Sequence, residues 1–311
     1  MNRKSIDHLL KSSLPLEHQI SALSSQNKFF NNGEFSYSRK NEDGYSTDFS
    51  VDLLISTEMH EIVHGIEVEK NLNLLIECKY ASPSVAWVFS TAPKHEPLIM
   101  TAFSTYPWIG SHLMQGFEPM KSLEPQVYCT RGLSLSATSA DPTQIRHGLQ
   151  QIRYAIPKLL ENLLDSYKSY DGPAIPLIAP LLVTNAPLFV LNPDVTISKA
   201  EQAESLQEIA TEYTHLCVYQ KASPELKDFC RTSAIAIIEK NQSENFPCRV
   251  DMLVGDLVDA VESIPIVSAS YFPVYLNALR DVISKISIES RERILRDYSL
   301  AQSASADDRP V

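Results

Sequence analysis

Two carboxylates and a lysine near the ends of predicted strands are the residues of this chain best suited to chemistry. Asp52 lies in the apolar segment 49–55, and Glu77 and Lys79 end the apolar run 72–80. Short apolar runs between polar turns are typical of strands in a buried sheet. A buried carboxylate is costly unless it is paired or binds a cation, and oxygen ligands suit Mg²⁺. The pattern therefore predicts a metal site of the kind that hydrolyses phosphodiester bonds.

The predicted elements up to residue 195 alternate between helices and strands. Helices are expected where apolar residues recur at a spacing of three or four, and strands where short apolar runs occur. Pro157 predicts a kink or a break in the longest helix. The expected order is a helix at 15–27, strands at 34–38, 49–56 and 73–80, a loop-rich region at 81–142, a helix from 143, and strands at 175–183 and 188–191.

The later part of the chain continues the mixed pattern. The expected elements are a helix at 198–211, a strand at 214–219, an ambiguous segment at 225–240, a helix at 256–261, a strand at 264–268 and a long helix at 274–298. Such alternation predicts an α/β fold with a central mixed β-sheet flanked by helices. We expect a core at 1–195, a C-terminal α/β extension packed on it at 196–299, and a disordered tail at 300–311.

Composition limits the class of protein. The chain has 311 residues, of which 44% are hydrophobic, and this fraction supports a packed core. No apolar run is long enough to predict a membrane span, and five cysteines without a CxxC pair favour a reducing cytoplasm. The net charge of −11 argues against a general nucleic-acid binder. Four basic residues of one predicted helix form either a local basic patch or an ordinary solvated face: Arg146, Arg153, Lys158 and Lys168.

The order of the chemical motifs resembles the PD-(D/E)xK nuclease superfamily. In that superfamily, a helix carrying a glutamate precedes a strand with an aspartate and a strand that ends in Glu-x-Lys. Glu17, Asp52 and the segment 77–79 match these positions in order. Gln150 and Tyr154 match the Gln-x-x-x-Tyr helix of the Mrr-like branch. The proline that usually precedes the aspartate is absent, and a valine stands there.

The resemblance implies a restriction-endonuclease-like core and a Mg²⁺-dependent endonuclease, in which Mn²⁺ can substitute. DNA is the implied partner and bacterial defence the implied context, while the acidic net charge leaves a homo-oligomer or a partner protein open. The implied metal ligands are Asp52, Glu77 and the backbone carbonyl of Cys78. The implied catalytic residues are Glu17, Asp52, Glu77 and Lys79, with Gln150 and Tyr154 in support because they share one helix face.

A second motif predicts a different class of enzyme. His60-Glu61-Ile62-Val63-His64 spells HExxH, which on a helix places two histidines on one face to bind Zn²⁺, with the glutamate as general base. Glu161 with Asp165 would be a conceivable partner pair for the third ligand. The motif lies between two predicted strands, which disfavours a helix. A zinc peptidase and a non-catalytic binding subunit on a nuclease fold remain alternatives, as does a plain same-face ion pair between Glu77 and Lys79.

Overall fold

The computed structural model describes residues 12–40, 44–63, 66–91, 127–167, 174–241 and 250–284, with the short pieces 5–6, 8–9, 104–105 and 123. Its helices are α1 (Leu14–Gln26), α2 (Thr143–Tyr167), α3 (Ile197–Gln202), α4 (Pro224–Asn241), α5 (Val250–Glu262) and α6 (Phe272–Ser284), with a 3₁₀ turn at Leu206–Glu208. Its strands are β1 (Phe30–Asn31), β2 (Phe35–Lys40), β3 (Ser46–Val51), β4 (Leu53–Val63), β5 (Ile66–Lys79), β6 (Ala86–Thr91), β7 (Ser104–Thr105), β8 (Tyr128–Leu135), β9 (Ala140–Asp141), β10 (Ala174–Thr184), β11 (Leu188–Leu191), β12 (Ala210–Tyr213), β13 (His215–Tyr219) and β14 (Ser263–Ser268).

A mixed sheet of twelve strands forms the centre of the described fold. Its order is β1-β4-β5-β10-β14-β13-β8-β6-β11-β12, with β7 beside β10 and β9 beside β8. β10 runs parallel to both β5 and β14, whereas β4 is antiparallel to β5 and β13 is antiparallel to β14. β2 and β3 form a separate two-stranded hairpin. The predicted α/β class, with a mixed central sheet flanked by helices, is confirmed.

The C-terminal part of the chain supplies two strands at the middle of this sheet. β14 pairs with β10, and β13 joins β14 to β8. The boundary predicted at residue 195 therefore does not divide the sheet, since residues after it complete the sheet rather than pack on its outside. The pattern of a short apolar run predicts that 264–268 is a strand, but it does not say which strands will be its neighbours. The tail predicted at 300–311 lies outside the described residues.

Helices cover both faces of the sheet, and alternation along β5 assigns its side chains to them. Leu74 and Ile76 pack in the apolar layer that contains residues of α1 and α6. Leu75 packs in the other layer, which contains residues of α2, α4 and α5. Because successive strand residues point to opposite faces, Glu77 and Lys79 share the face of Leu75. The end of β5 thus presents its acidic and basic side chains towards α2.

Several element predictions need correction. Residues 198–211 do not form one helix: Thr196 caps the short α3, and β12 then pairs with β11 along the sheet edge. The segment predicted as loop-rich contains β8, and the ambiguous segment 225–240 lies in helix α4. α2 continues through Pro157 without a break, because burial against the sheet outweighs the lost hydrogen bond. The predicted helix at 274–298 is described only as far as Ser284.

None of the helices that the structure describes is long and apolar enough to cross a membrane.

Candidate active site

The bend between β3 and β4 brings Asp52 against the end of β5. β4 pairs with β5 so that Leu53 lies opposite Ile76, and this register places Asp52 beside the last residues of β5. Its Oδ2 atom accepts a hydrogen bond of 2.7 Å from the backbone N–H of Cys78. The strand pairing therefore brings Asp52 and the segment 77–79 of the predicted motif together at the end of β5.

Glu77 is a fully buried carboxylate with one unused oxygen. Its side chain is 0% exposed, and its Oε1 atom accepts a hydrogen bond from the Nζ atom of Lys79. Its Oε2 atom is buried without a hydrogen-bond partner. Leaving a buried carboxylate oxygen unpaired costs free energy comparable to a lost hydrogen bond or more. The arrangement therefore leaves one acidic oxygen available for a cation or a proton.

The electrostatics show an excess of carboxylates around one ammonium group. Burial raises the pKa of Glu77 to about 7, and the nearby Asp52 carboxylate raises it as well, whereas Lys79 lowers it. Burial also raises the pKa of Asp52, against the opposing effects of the Cys78 N–H and of Lys79. A region in which three acidic groups share one lysine attracts a further positive charge; the third group is Glu17.

Glu17 reaches this region from the first turn of α1. Burial raises the pKa of its half-buried side chain, and the Asp52 carboxylate raises the pKa further. Leu16 and Ile20 anchor α1 on the sheet, and Ser13 Oγ accepts a hydrogen bond of 3.3 Å from the backbone N–H of Tyr80. The start of α1 is thus tied to the end of β5, which explains why the charges of Asp52 and Lys79 act on Glu17.

The α2 side chain bonded to Lys79 is Gln151, one residue after the predicted Gln150. Gln151 Oε1 accepts a hydrogen bond of 3.2 Å from Lys79 Nζ, and its Nε2 donates one of 3.0 Å to the carbonyl of Ser50. Gln150 is exposed, and the ring of Tyr154 packs edge-on against Phe229 at 5.1 Å. The Gln-x-x-x-Tyr spacing of the family predicts Gln150. The buried face of α2, on which Gly148 and Gln151 lie towards the sheet, would have predicted Gln151.

The backbone that follows Lys79 is held by three polar side chains that the sequence analysis missed. Thr184 Oγ1 donates a hydrogen bond of 2.8 Å to the carbonyl of Lys79, and Gln144 Nε2 donates one of 2.7 Å to the carbonyl of Tyr80. Asn185 bonds both the N–H and the carbonyl of Ala81, at 2.7 and 2.8 Å. These hydrogen bonds restrain the end of β5 that carries Lys79. A reacting group needs such a fixed position.

Gly148 lets α2 approach the acidic pair closely. A Cβ atom at this position would lie 2.5 Å from Leu182 Cδ1, 3.1 Å from Lys79 Cε and 3.5 Å from Glu77 Cγ. Leu182 is fully buried, so it has no free space into which it can move. The absence of a side chain at Gly148 therefore sets the distance between α2 and the end of β5.

We expect Gly148→Ala to destabilise the fold by roughly 1–3 kcal/mol, because the added methyl overpacks the space between α2 and β5. It also displaces Lys79, so any activity of the site falls with it. The measurement is the midpoint of thermal unfolding. Gly255→Ala is the matched control, since Gly255 lies in α5 with no atom within 4 Å of an added Cβ, and it should stabilise by about 0.5–1 kcal/mol. Equal shifts of the thermal midpoint in Gly148→Ala and Gly255→Ala would contradict the close approach of α2 to β5.

The donor set fits a hydrated divalent cation better than an enclosed metal site. Among the described residues, no group of three or more His, Cys, Asp or Glu side chains is placed to hold a metal ion. The Asp52 carboxylate is, however, close enough to Glu77 to raise its pKa, and the buried Oε2 of Glu77 is an oxygen donor without a hydrogen-bond partner. Mg²⁺ commonly binds through one or two carboxylates and keeps several waters. Asp52, Glu77 and the carbonyl of Cys78 are compatible with that mode.

The HExxH segment does not have the geometry of a zinc peptidase in the described residues. His60, Glu61 and Val63 lie on β4, which is an extended strand, whereas the HExxH motif binds zinc from a helix. His64 lies outside the described residues. Glu161 and Asp165 instead accept hydrogen bonds of 2.6 and 3.3 Å from Lys240.

The predicted basic patch on α2 is not a continuous surface. Arg146 is exposed, but Arg153 is only 5% exposed and its Nη1 atom donates to Gln220 Oε1 at 2.7 Å. Lys158 forms an ion pair with Glu161 at 2.9 Å. Lys168 lies outside the described residues. These four residues therefore do not show a basic surface along α2 that would attract a polyanion.

Comparisons of the chain with protein-family models, with curated proteins and with solved structures gave no match. Interpretation of the site therefore depends on its own residues, contacts and charges.

Proposed function

We propose that this protein is a metal-dependent endonuclease of the PD-(D/E)xK type, Mrr-like, that hydrolyses phosphodiester bonds in DNA. The observation that carries the proposal is the convergence of Asp52, Glu77 and Lys79 at one edge of the sheet, with a buried, unpartnered oxygen on Glu77. The order α1, β4, β5, α2 and β10, with β10 parallel to β5, supports a restriction-endonuclease-like core. The defence context comes from the resemblance alone.

In this proposal Asp52, Glu77 and the carbonyl of Cys78 hold Mg²⁺ or Mn²⁺. The bound ion supplies Lewis-acid stabilisation of the negative charge that develops on the phosphate. A cytoplasmic location agrees with Cys78, Cys129 and Cys230, which are free thiols and buried.

Lys79 is the group that acts on the reacting atoms. Two acceptors, Glu77 Oε1 and Gln151 Oε1, fix its ammonium group, so it needs little reorganisation to stabilise charge on the phosphate or to orient the attacking water. Gln151 is a positioning residue, because it acts through Lys79. Glu17 is close enough to Asp52 for that carboxylate to raise its pKa, and the raised pKa suits it to accept a proton from water.

The test is a cleavage assay with Mg²⁺ or Mn²⁺ on plasmid and on single-stranded DNA over a range of pH. Glu77 has a pKa of about 7 without metal, and metal binding requires the ionised carboxylate. At limiting Mg²⁺ we therefore expect cleavage to rise as pH increases through about 7. Saturating Mg²⁺ should move that midpoint to lower pH, because the ion competes with the proton.

Cleavage that needs no divalent ion would contradict the assigned metal site. So would a pH midpoint of cleavage that does not change with the Mg²⁺ concentration. Absence of cleavage on every substrate, together with retained DNA binding, would favour the non-catalytic binding subunit. Either of the first two results would reject the assigned metal site, and the third would favour a binding subunit over a nuclease.

A further inference from the structure

A cavity of about 370 Å³ lies next to the contact between Lys79 and Gln151. One wall comes from the hairpin β2–β3 through Tyr37, Arg39 and Phe49, and the other wall comes from α2. A cavity of this volume lies in the range of small-ligand sites. It is therefore large enough for one nucleotide.

Flat groups form much of the cavity wall. The guanidinium carbon of Arg39 lies 5.0 Å from the ring centre of Phe49 and 4.2 Å from that of Tyr154. Tyr37 and Phe49 stack with their ring centres 5.8 Å apart. Aromatic rings and guanidinium planes are the groups on which single-stranded bases stack. Tyr37 and Tyr154 are buried, whereas Arg39 and Phe49 are half-buried, so the planes of Arg39 and Phe49 are the surfaces that a base can meet. The face of a base is accessible only when the base has left a duplex stack.

Polar groups at the cavity match the edge and the charge of a nucleotide. His147 and Gln150 are exposed on the α2 side, and a glutamine amide can pair with the hydrogen-bonding edge of a base. Arg39 carries the positive charge, and Glu225 lies 3.6 Å from it with a side chain that is 72% exposed. Because Glu225 is so exposed, it weakens the charge of Arg39 only modestly.

Gln151 connects the cavity to the reacting centre. Its side chain lines the cavity and accepts from Lys79 Nζ, while its backbone carbonyl accepts a hydrogen bond of 3.0 Å from the hydroxyl of Tyr37. One side chain therefore separates the cavity from the lysine assigned to the scissile phosphate. A ligand in the cavity would be a neighbour of that phosphate along the same strand.

We propose that this cavity binds an unpaired nucleotide of the strand that is cut, so that the enzyme acts on single-stranded DNA rather than on continuous duplex. The identity of the ligand rests on the proposed nuclease function. Stacking supplies affinity that does not depend on neutralising many phosphates, which suits a chain with a net charge of −11. The hairpin β2–β3, which the nuclease motif does not include, is then the element that selects the substrate.

The experiment measures the dissociation constants of a labelled single-stranded oligonucleotide and of the matching duplex by fluorescence anisotropy. EDTA is present, so that no metal-dependent cleavage occurs. We expect the single strand to bind at least about tenfold more tightly than the duplex, and Arg39→Gln to weaken single-strand binding by about tenfold. Arg131→Gln is the matched control, because it removes the same charge from an exposed side chain on β8 and should leave binding unchanged.

A second variant guards against local unfolding of the hairpin. Gln150→Trp adds a large side chain at an exposed position of α2 that lines the cavity, so it should block the cavity while the thermal midpoint stays constant. Tighter binding of duplex than of single strand, or equal effects of the changes at Arg39 and Arg131, would overturn the proposal. Single-strand preference without any metal-dependent cleavage would leave the cavity assignment standing and remove the nuclease assignment.

Discussion

We expect replacement of Lys79 with methionine to lower the rate of the proposed metal-dependent cleavage by about 10²–10³-fold or more. The loss is that expected for removing one fixed positive group from the developing charge of a transition state. Methionine keeps most of the apolar stem that packs between Gly148 and the sheet, so the fold should persist. The measurement is a single-turnover cleavage rate at saturating Mg²⁺, with the thermal midpoint recorded beside it.

Lys199→Met is the control for this change. Lys199 forms an exposed ion pair with Asp194 at 2.5 Å, far along the chain from the site, and exposed pairs contribute little. Its cleavage rate should match that of the unchanged protein. If Lys79→Met retains normal cleavage while Lys199→Met does too, the lysine at the end of β5 is a structural ion-pair partner and the catalytic assignment is wrong.

Glu77→Gln should abolish cleavage and at the same time stabilise the metal-free protein above neutral pH. Burial raises the pKa of Glu77 from its ordinary 4.5 to about 7, so the folded state holds a proton that the unfolded state releases. Stability is therefore fully present below about pH 4.5, falls as pH rises from 4.5 to 7, and stays lower above pH 7. Glutamine keeps the shape without the buried charge. The gain at pH 8 is roughly 1–3 kcal/mol.

The measurement is the thermal midpoint at pH 5 and pH 8, in EDTA and in Mg²⁺. The two proteins should differ little at pH 5 and most at pH 8 in EDTA. Mg²⁺ at pH 8 should raise the midpoint of the unchanged protein more than that of Glu77→Gln, because binding to the folded state adds to its stability. A variant that is less stable at pH 8 would show that Glu77 is a stabilising ion-pair partner of Lys79.

Local patterns were sufficient to predict the elements that carry the site. The apolar runs before Lys79 and around Asp52 correspond to β5 and to β3 with β4, and the helix predicted from residue 143 corresponds to α2. Alternation also predicts that Glu77 and Lys79 share a face and that Cys78 points the other way, where it is buried with Leu16. These features depend on periodicity over a few residues, which the sequence displays directly.

Pairing and packing between distant segments were not predictable in the same way. The close approach of α2 at Gly148 involves Leu182 of β10 and Lys79 of β5, and no local pattern indicates that these distant segments meet. The place of β14 beside β10 depends on which exposed edge it meets. Thr184 and Asn185 support the end of β5 from β10 and the turn after it, a role that only their position in space defines.

The central place of β14 has a consequence for synthesis on the ribosome. β10 pairs with β5 on one side, but its neighbour on the other side, β14, forms only when residues 263–268 have emerged. β13, which lies between β14 and β8, also gains one of its two neighbours only then. Until then the nascent chain has the acidic motif but an open row of backbone donors and acceptors along β10. An intermediate with such an unpaired strand edge predicts that the central sheet is completed only after residues 263–268 have been synthesised.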